Sequence, residues 1–342
     1  MSIAYLDPGN IESDLQSGSM AGFRLIWVLL SAHIIGLLLQ RLSARLGVVV
    51  GKHMAEISYD YYAPVPRWIL WIMILQAVSV VGAVIMPHNL YLHSALVKSR
   101  KVDRTRKEKV VEANKYFFIE SGIALACSFV INLFVVSVFA NGLYNKTNLD
   151  VRKTCYDTDN DMPEFYKSTF SNDTDDATSD IYHGGVFLGC TFGAAALYIW
   201  SIGILAAGQS STMTGTYAGQ FAMEGFLHIR IARWKRILIT RSLAILPTIA
   251  VVIFAGGMDN ISRLNDLLNA VMMFQLPFAL LPVLTFNADK TVMKEFTINW
   301  VSKIFYLIVS VLVIAINYFF LIEYIRDNYD TEIGWAVFAI IM

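Results

Sequence analysis

A thioether, two imidazoles and an amide gather around a proline in one stretch of this chain, Gly82 to His93. They are Met86, His88, His93 and Asn89, with Pro87 among them. The stretch lies within an apolar run from Trp68 to Val97. Such a run has the length of a membrane helix, for which about 20 apolar residues suffice. Proline has no N–H and clashes with the preceding turn, so the helix breaks near Met86 and frees backbone carbonyls, that of Ala83 among them. Bare carbonyls at membrane depth are tolerated where they line a cavity or bind something. The plainer alternative is a proline kink whose polar groups bond to neighbouring helices.

The elements that position these groups follow from composition. The chain has 342 residues, 56% of them hydrophobic and 16% charged, with mean hydropathy +0.53. A soluble domain carries about 25% charged residues. Here the charges collect between long apolar runs, the pattern of a polytopic membrane protein. The zero net charge offers no argument for nucleic acid as a partner. Of the three cysteines, Cys127 and Cys190 fall in apolar runs and read as packing residues. Cys155 lies in a polar loop with no evident partner, and none of the three has metal-ligand spacing. No cleavable signal precedes the first apolar run.

In chain order, Asp7-Pro8-Gly9-Asn10 is a turn signal and helix breaker, by itself a solvated turn. A short helix starts from Ile11 to Gln16 with Asn10 as N-cap. Phe23–Leu39 is a span closed by Arg41 and Arg45, with His33 a satisfied interior histidine. Gly47–Ala63 reads as loop-like. Further spans are Trp68–Val97, Tyr116–Ala140, Gly184–Thr214, Ile237–Ala255, Leu264–Phe286 and Val301–Ile325, and Trp335–Met342 begins another. Asn269, Gln275, Pro277 and Pro282 within one span point to a distorted helix near a polar cavity, or to polar packing between helices.

Three polar segments mark the sides of the membrane within a single transmembrane domain, 1–342. Residues 98–114 and 228–236 are basic and read as cytosolic by the positive-inside rule. Residues 141–183 are acidic and carry two acceptor sequons, at Asn145 and Asn172, which reads as an extracytosolic glycosylated loop. The run Gly208–Gln220 (GQSSTMTGTYAGQ) has few bulky apolar residues and should face protein or a watery path.

Asp7-Pro-Gly-Asn10, Met86-Pro-His88 and Gly208–Gln220 together resemble the Nramp family of proton-coupled divalent metal transporters, three motifs in the family's order. The resemblance covers almost the whole chain. It implies an all-α integral membrane protein with an inverted-repeat fold of five plus five helices, incomplete here, whose first and sixth helices are unwound. It also implies that Asp7, Asn10, the Met86 sulfur and the Ala83 carbonyl are metal ligands. The Ala4 carbonyl and Asn269 would join in some states, and His88, His93 and Arg241 would serve proton movement or gating. The chemistry agrees: oxygen ligands hold many divalent ions, and a soft sulfur tilts the site toward Fe²⁺, Mn²⁺ and Co²⁺ over Ca²⁺ and Mg²⁺. These ions and the coupled H⁺ are cargo, and no resident cofactor is implied. No H-E-x-x-H pattern, nucleotide loop or paired nucleophile and base points to an enzyme.

The chain departs from the family in three places. The amino-terminal half of helix one is missing, and so, roughly, are helices three to five and the carboxyl-terminal end. Arg67–Met73 resembles the start of helix three, and Leu75 onward resembles helix six, joined directly. Three spans need at least roughly 60 residues. One crossing by Trp68–Val97 would then invert everything downstream, against the positive-inside rule, so insertion is frustrated unless this segment does not cross or an upstream one flips. The departures keep a second reading open: a shortened, non-transporting isoform or incomplete gene product, inert or interfering with the full-length protein.

Overall fold

The computed structural model describes residues 7–79, 87–157, 162–227 and 258–328, with isolated helical residues between 234 and 249. Among the described residues the regular secondary structure is helical, apart from one isolated bridge between Thr147 and Asp176. Among them four stretches are long and apolar enough to cross a membrane: Pro8–Val50, Lys107–Leu143, Asn269–Ala288 and Trp300–Arg326. The chain divides into two compact units. One takes in Met1–Leu38, Val81–Val84 and Ile119–Thr214, the other Leu39–Val80, Ile85–Phe118 and Gly215–Met342.

In the first unit, α1 runs from Pro8 to Ala21. It starts one turn earlier than the sequence predicts, with Asp7 at the N-cap instead of Asn10. Proline explains the difference, because its fixed φ suits the first helical position and its missing N–H is an orphan there anyway. The helix stops at Gly22, whose φ of +60° is the left-handed conformation that glycine alone adopts freely. Helix α2 (Ile26–Val50) follows a short 3₁₀ turn. His33 on it is buried and satisfied as expected, its Nδ1 2.8 Å from the Leu29 carbonyl and its ring edge-on to Phe129. Later come α6 (Lys107–Leu143), in this unit from Ile119 on, α7 (Asn148–Asp157), α8 (Glu164–Lys167), α9 (Ile181–Phe192) and α10 (Ala194–Leu227), in this unit as far as Thr214.

Glycine lets α1 and α6 touch at the backbone. A Cβ on Gly18 would sit 2.6 Å from the Val136 carbonyl oxygen. Around this contact Leu15, Phe139, Leu143, Phe170 and Phe187 form a closed apolar core with Cys155 and Cys190. Those two cysteines are joined in a disulfide, so Cys190 is not the packing residue that its apolar setting implies. The bond's partner lies 35 residues away in sequence, which no spacing rule reveals. Cys127 is free.

The 141–183 segment is a folded cap and not an open loop. The Asn148 side chain donates to Asp173 Oδ1 at 2.9 Å and accepts from the Thr178 N–H at 2.9 Å. Arg152 donates to the Phe170 carbonyl at 2.9 Å. Asp180 caps α9, accepting from the His183 N–H at 2.8 Å. The expected single span Gly184–Thr214 is two helices, parted at Gly193 with φ +93°.

In the second unit the supposed loop Gly47–Ala63 is helical. Helix α2 continues to Val50, and α3 (Met54–Tyr61) follows, its first turn tied by the His53 N–H donating to the Glu56 carboxylate at 3.0 Å. Charged residues there made the segment look like a loop; they pair instead. Then come α4 (Pro64–Ser79), α5 (Pro87–Lys98), α11 (Met258–Ala288), α12 (Lys290–Met293) and α13 (Trp300–Asn328). Helix α5 is described from Pro87 onward, and the expected break near Met86 falls at residues outside the described ones. Pro277 and Pro282 lie inside α11, which remains one helix.

Helices α4 and α5 start and finish beside the same element. Pro64 follows the end of α3 by three residues, and Lys98 at the end of α5 binds both Glu56 oxygens on α3 at 2.7 Å. Beyond α5, Arg104 donates to the Val48 and Gly47 carbonyls at the end of α2, at 2.9 and 3.1 Å. The basic segment 98–114 thus packs beside the same end of α2 that follows Arg41 and Arg45, and the middle of the expected Trp68–Val97 span, residues 80–86, lies outside the described residues. The first eight residues of α6, Lys107–Asn114, lie inside that basic region, so it too is partly helical. The expected spans Ile237–Ala255 and Trp335–Met342 lie outside the described residues, apart from Leu238, Ser242 and Ile249 in the former.

Candidate metal and proton sites

Asp7 and Asn10 sit at the N-cap and third helical position of α1, three residues apart and so on one face. Both are 1% exposed. The Asp7 carboxylate oxygens are buried without a full hydrogen bond; the backbone of Gly9 and Asn10 and the Asn10 side chain are the nearest donors. An ionisable group buried with so little compensation is costly and is a functional candidate by default. A helix N-terminus also favours negative charge at this position.

The sequence reading passed over a third acid. Asp14, seven residues from Asp7 and four from Asn10, is buried on α1, and so is Glu12. Spacings of three, four and seven put Asp7, Asn10 and Asp14 on one stripe of the helix, a signal legible in the sequence had α1 been drawn from Pro8.

In the second unit, His88 and His93 are both buried on α5, at 5% and 3% exposed. Five residues rotate a helix by about 140°, so the two imidazoles do not share a face. Asn89, between them, is buried as well. Asn269 is half-buried on α11, and among the described residues its Oδ1 accepts no hydrogen bond. Ala4, Ala83, Met86 and Arg241 lie outside the described residues. Among those described, no group of three His, Cys, Asp or Glu side chains comes together.

Asn145 and Asn172 are exposed, and Asn145 adopts a left-handed φ of 56°. The neighbouring Thr147 hydroxyl donates to Asp150 at 2.8 Å.

The family described as "Natural resistance-associated macrophage protein-like" matches the chain in two pieces, residues 1–78 and 73–323. They meet where Arg67–Met73 gives way to Leu75 onward. The Caenorhabditis elegans NRAMP-like transporter smf-3 is 51% identical over 430 positions, covering 96% of this chain and 77% of the relative. The human natural resistance-associated macrophage protein 2 is 44% identical over 427 positions, with 96% and 74% covered. Both alignments are longer than the 342-residue chain, so these relatives carry internal segments that it lacks. A crystal structure of an Eremococcus coleocola manganese transporter superimposes with TM-score 0.78 at 21% identity, covering 99% of this chain and 89% of that one. At that identity the likeness is one of fold, and it is the inverted-repeat helical fold that the motifs imply.

Proposed function

The chain belongs to the Nramp family, and from that membership we propose that it moves divalent transition metal ions across a membrane by alternating access, coupled to protons. The Caenorhabditis elegans relative is named an NRAMP-like transporter, and the solved neighbour is a manganese transporter; Mn²⁺ and Fe²⁺ are the first cargoes to test, with Co²⁺ beside them. The protein is an integral membrane protein and not an enzyme.

The observation that carries the reading is the buried Asp7 carboxylate beside Asn10 at the start of α1. Asp7 supplies the charge that draws a cation out of water, and Asn10 a neutral oxygen. The Met86 thioether adds selectivity for softer ions, and the Ala83 carbonyl completes the set. A single negative ligand keeps binding reversible, as release on the far side requires. Asp7 changes charge on protonation, so proton and metal compete for it; His88 and His93 serve proton movement or gating, a role that their burial on α5 supports.

The membrane sides follow from three features. The basic segment 98–114 faces the cytosol. One crossing by α6 carries the chain to the other side, where the Cys155–Cys190 disulfide suits an oxidising compartment. The exposed Asn145 and Asn172 are then accessible for glycosylation.

The two-piece family match and the longer internal alignments favour keeping a second reading, a shortened form that binds metal without moving it. Manganese uptake in cells expressing this chain, at acid and neutral pH and against Asp7→Ala, separates the two. Acid-stimulated uptake abolished by Asp7→Ala supports transport. Metal binding by the purified chain without any uptake supports the shortened form.

A further inference from the structure

Within the second unit a cavity of about 470 Å³ opens between α2, the start of α6 and the residues leading into α13. Arg41, Arg45 and Lys115 line it, and no carboxylate does. The nearby acids are already engaged: Glu112 by Lys109 at 2.8 Å and Glu295 by Lys107 at 2.9 Å. Among the described residues none of the three cations has an ion pair. Arg45 donates to the Phe296 carbonyl, and the Arg41 guanidinium lies 5.1 Å over the Phe118 ring. Arg41 and Arg45 are one helical turn apart, a spacing at which like charges repel. Asn299 and Ser302 bring the first turn of the 29-residue α13 to the cavity, and free N–H groups at a helix start favour an anion.

The surroundings say what kind of anion. Val111, Phe118, Phe296 and Ile298 make part of the wall apolar. Beside it, Tyr116, Trp300 and Val301 are 65%, 75% and 77% exposed. Exposed tyrosine and tryptophan at the ends of membrane helices mark the headgroup level, and the basic segment 98–114 marks the cytosolic side. A small free anion has no use for the apolar wall, and a neutral lipid none for three unpaired cations. We propose that this cavity binds the phosphoryl headgroup of an anionic phospholipid of the cytosolic leaflet. The phosphoryl oxygens lie between Arg41, Arg45 and Lys115, with the acyl ester region against Val111 and Trp300.

Native mass spectrometry of the purified chain, titrated with phosphatidylserine or phosphatidylcholine, tests this. Phosphatidylserine binding should exceed phosphatidylcholine binding. Each neutralised cation is worth about five-fold at a membrane surface, so Arg41→Gln with Lys115→Gln should weaken it about twenty-fold. Ser302→Glu, which removes no cation, should weaken it too. Lys101→Gln with Arg106→Gln, equal charge lost from the basic segment away from the cavity, should change it about two-fold or less. Equal losses in the two double variants would reduce the effect to diffuse surface charge and overturn the site. No preference for phosphatidylserine would overturn it as well. Displacement of the lipid by inorganic phosphate at equal concentration would make the ligand a free anion and remove the lipid from the proposal.

Discussion

Around α1 and the 144–192 stretch, the helices are tied by a disulfide, by a cluster of buried aromatic rings and by backbone contact through glycine. Around α3, α5 and α11, the ties are side chains reaching helix carbonyls: Ser43 to Leu90, Asn287 to Leu42 and Arg104 to Gly47 and Val48, with Ser94 accepting from the Met54 N–H. Lys98 and Glu56 add a half-buried ion pair, with His53 against it. The first region should therefore respond to reductant, the second to acid.

The largest effect expected is on the disulfide. Cys155→Ser with Cys190→Ser, or treatment with dithiothreitol, should cost about 2–5 kcal/mol in the region it closes. Hydrogen exchange should show protection lost in α7 and α9 and kept in α3 and α5. Equal loss in both regions would break the comparison.

Next comes close packing, tested once in each region. Gly18→Ala places a Cβ 2.6 Å from the Val136 oxygen, and Gly47→Ala places one 2.4 Å from the Ser94 oxygen. Both contacts are backbone, which cannot swing aside, and overpacking of this kind costs about 1–3 kcal/mol. Thermal unfolding of each variant checks it; a glycine that tolerates alanine without loss marks a contact looser than described.

Acid should act on the second region. Burial holds His53 below its ordinary 6.5, with Glu56 opposing that push and Lys98 adding to it. Burial raises Glu56, but Lys98 and His53 bring it below 4.5. The unfolded chain takes up a proton on histidine near 6.5 and the folded chain does not, so stability present at neutral pH falls as pH drops below 6.5. The slope is up to about 1.4 kcal/mol per pH unit for this group. His53→Gln should flatten the slope between neutral and mildly acid pH while leaving the slope of the disulfide-tied region alone. The Glu56 contribution, lost at still lower pH, should survive in that variant until Lys98→Gln removes its partner.

The smallest effect on stability belongs to the sequons. Asn145→Gln and Asn172→Gln should each remove one step of a glycosidase-sensitive gel shift and leave unfolding nearly unchanged. No shift in the parent chain would put the 141–183 segment on the cytosolic side and undo the assignment of sides.

Much of this was readable from residue types. Long apolar runs announce spans because a bilayer demands them, and α6 and α13 arose where expected. What escaped depended on partners distant in sequence. Cys190 looked like packing until Cys155 appeared beside it. Gly47–Ala63 looked like a loop because Glu56 finds Lys98, and the Gly47 and Val48 carbonyls find Arg104, only in three dimensions. Asp14 was hidden by an N-cap placed one turn late, which moved it off the stripe of Asp7 and Asn10.

The claim on which the function turns is that oxygen from Asp7, Asn10 and Ala83 and sulfur from Met86 close around a single ion. X-ray absorption at the cobalt edge of the purified, Co²⁺-loaded chain reads that ligand set directly. The account predicts one sulfur among oxygen neighbours, the sulfur lost in Met86→Ala and the bound cobalt lost in Asp7→Ala. A shell of oxygen and nitrogen alone, or one indifferent to both substitutions, would contradict it.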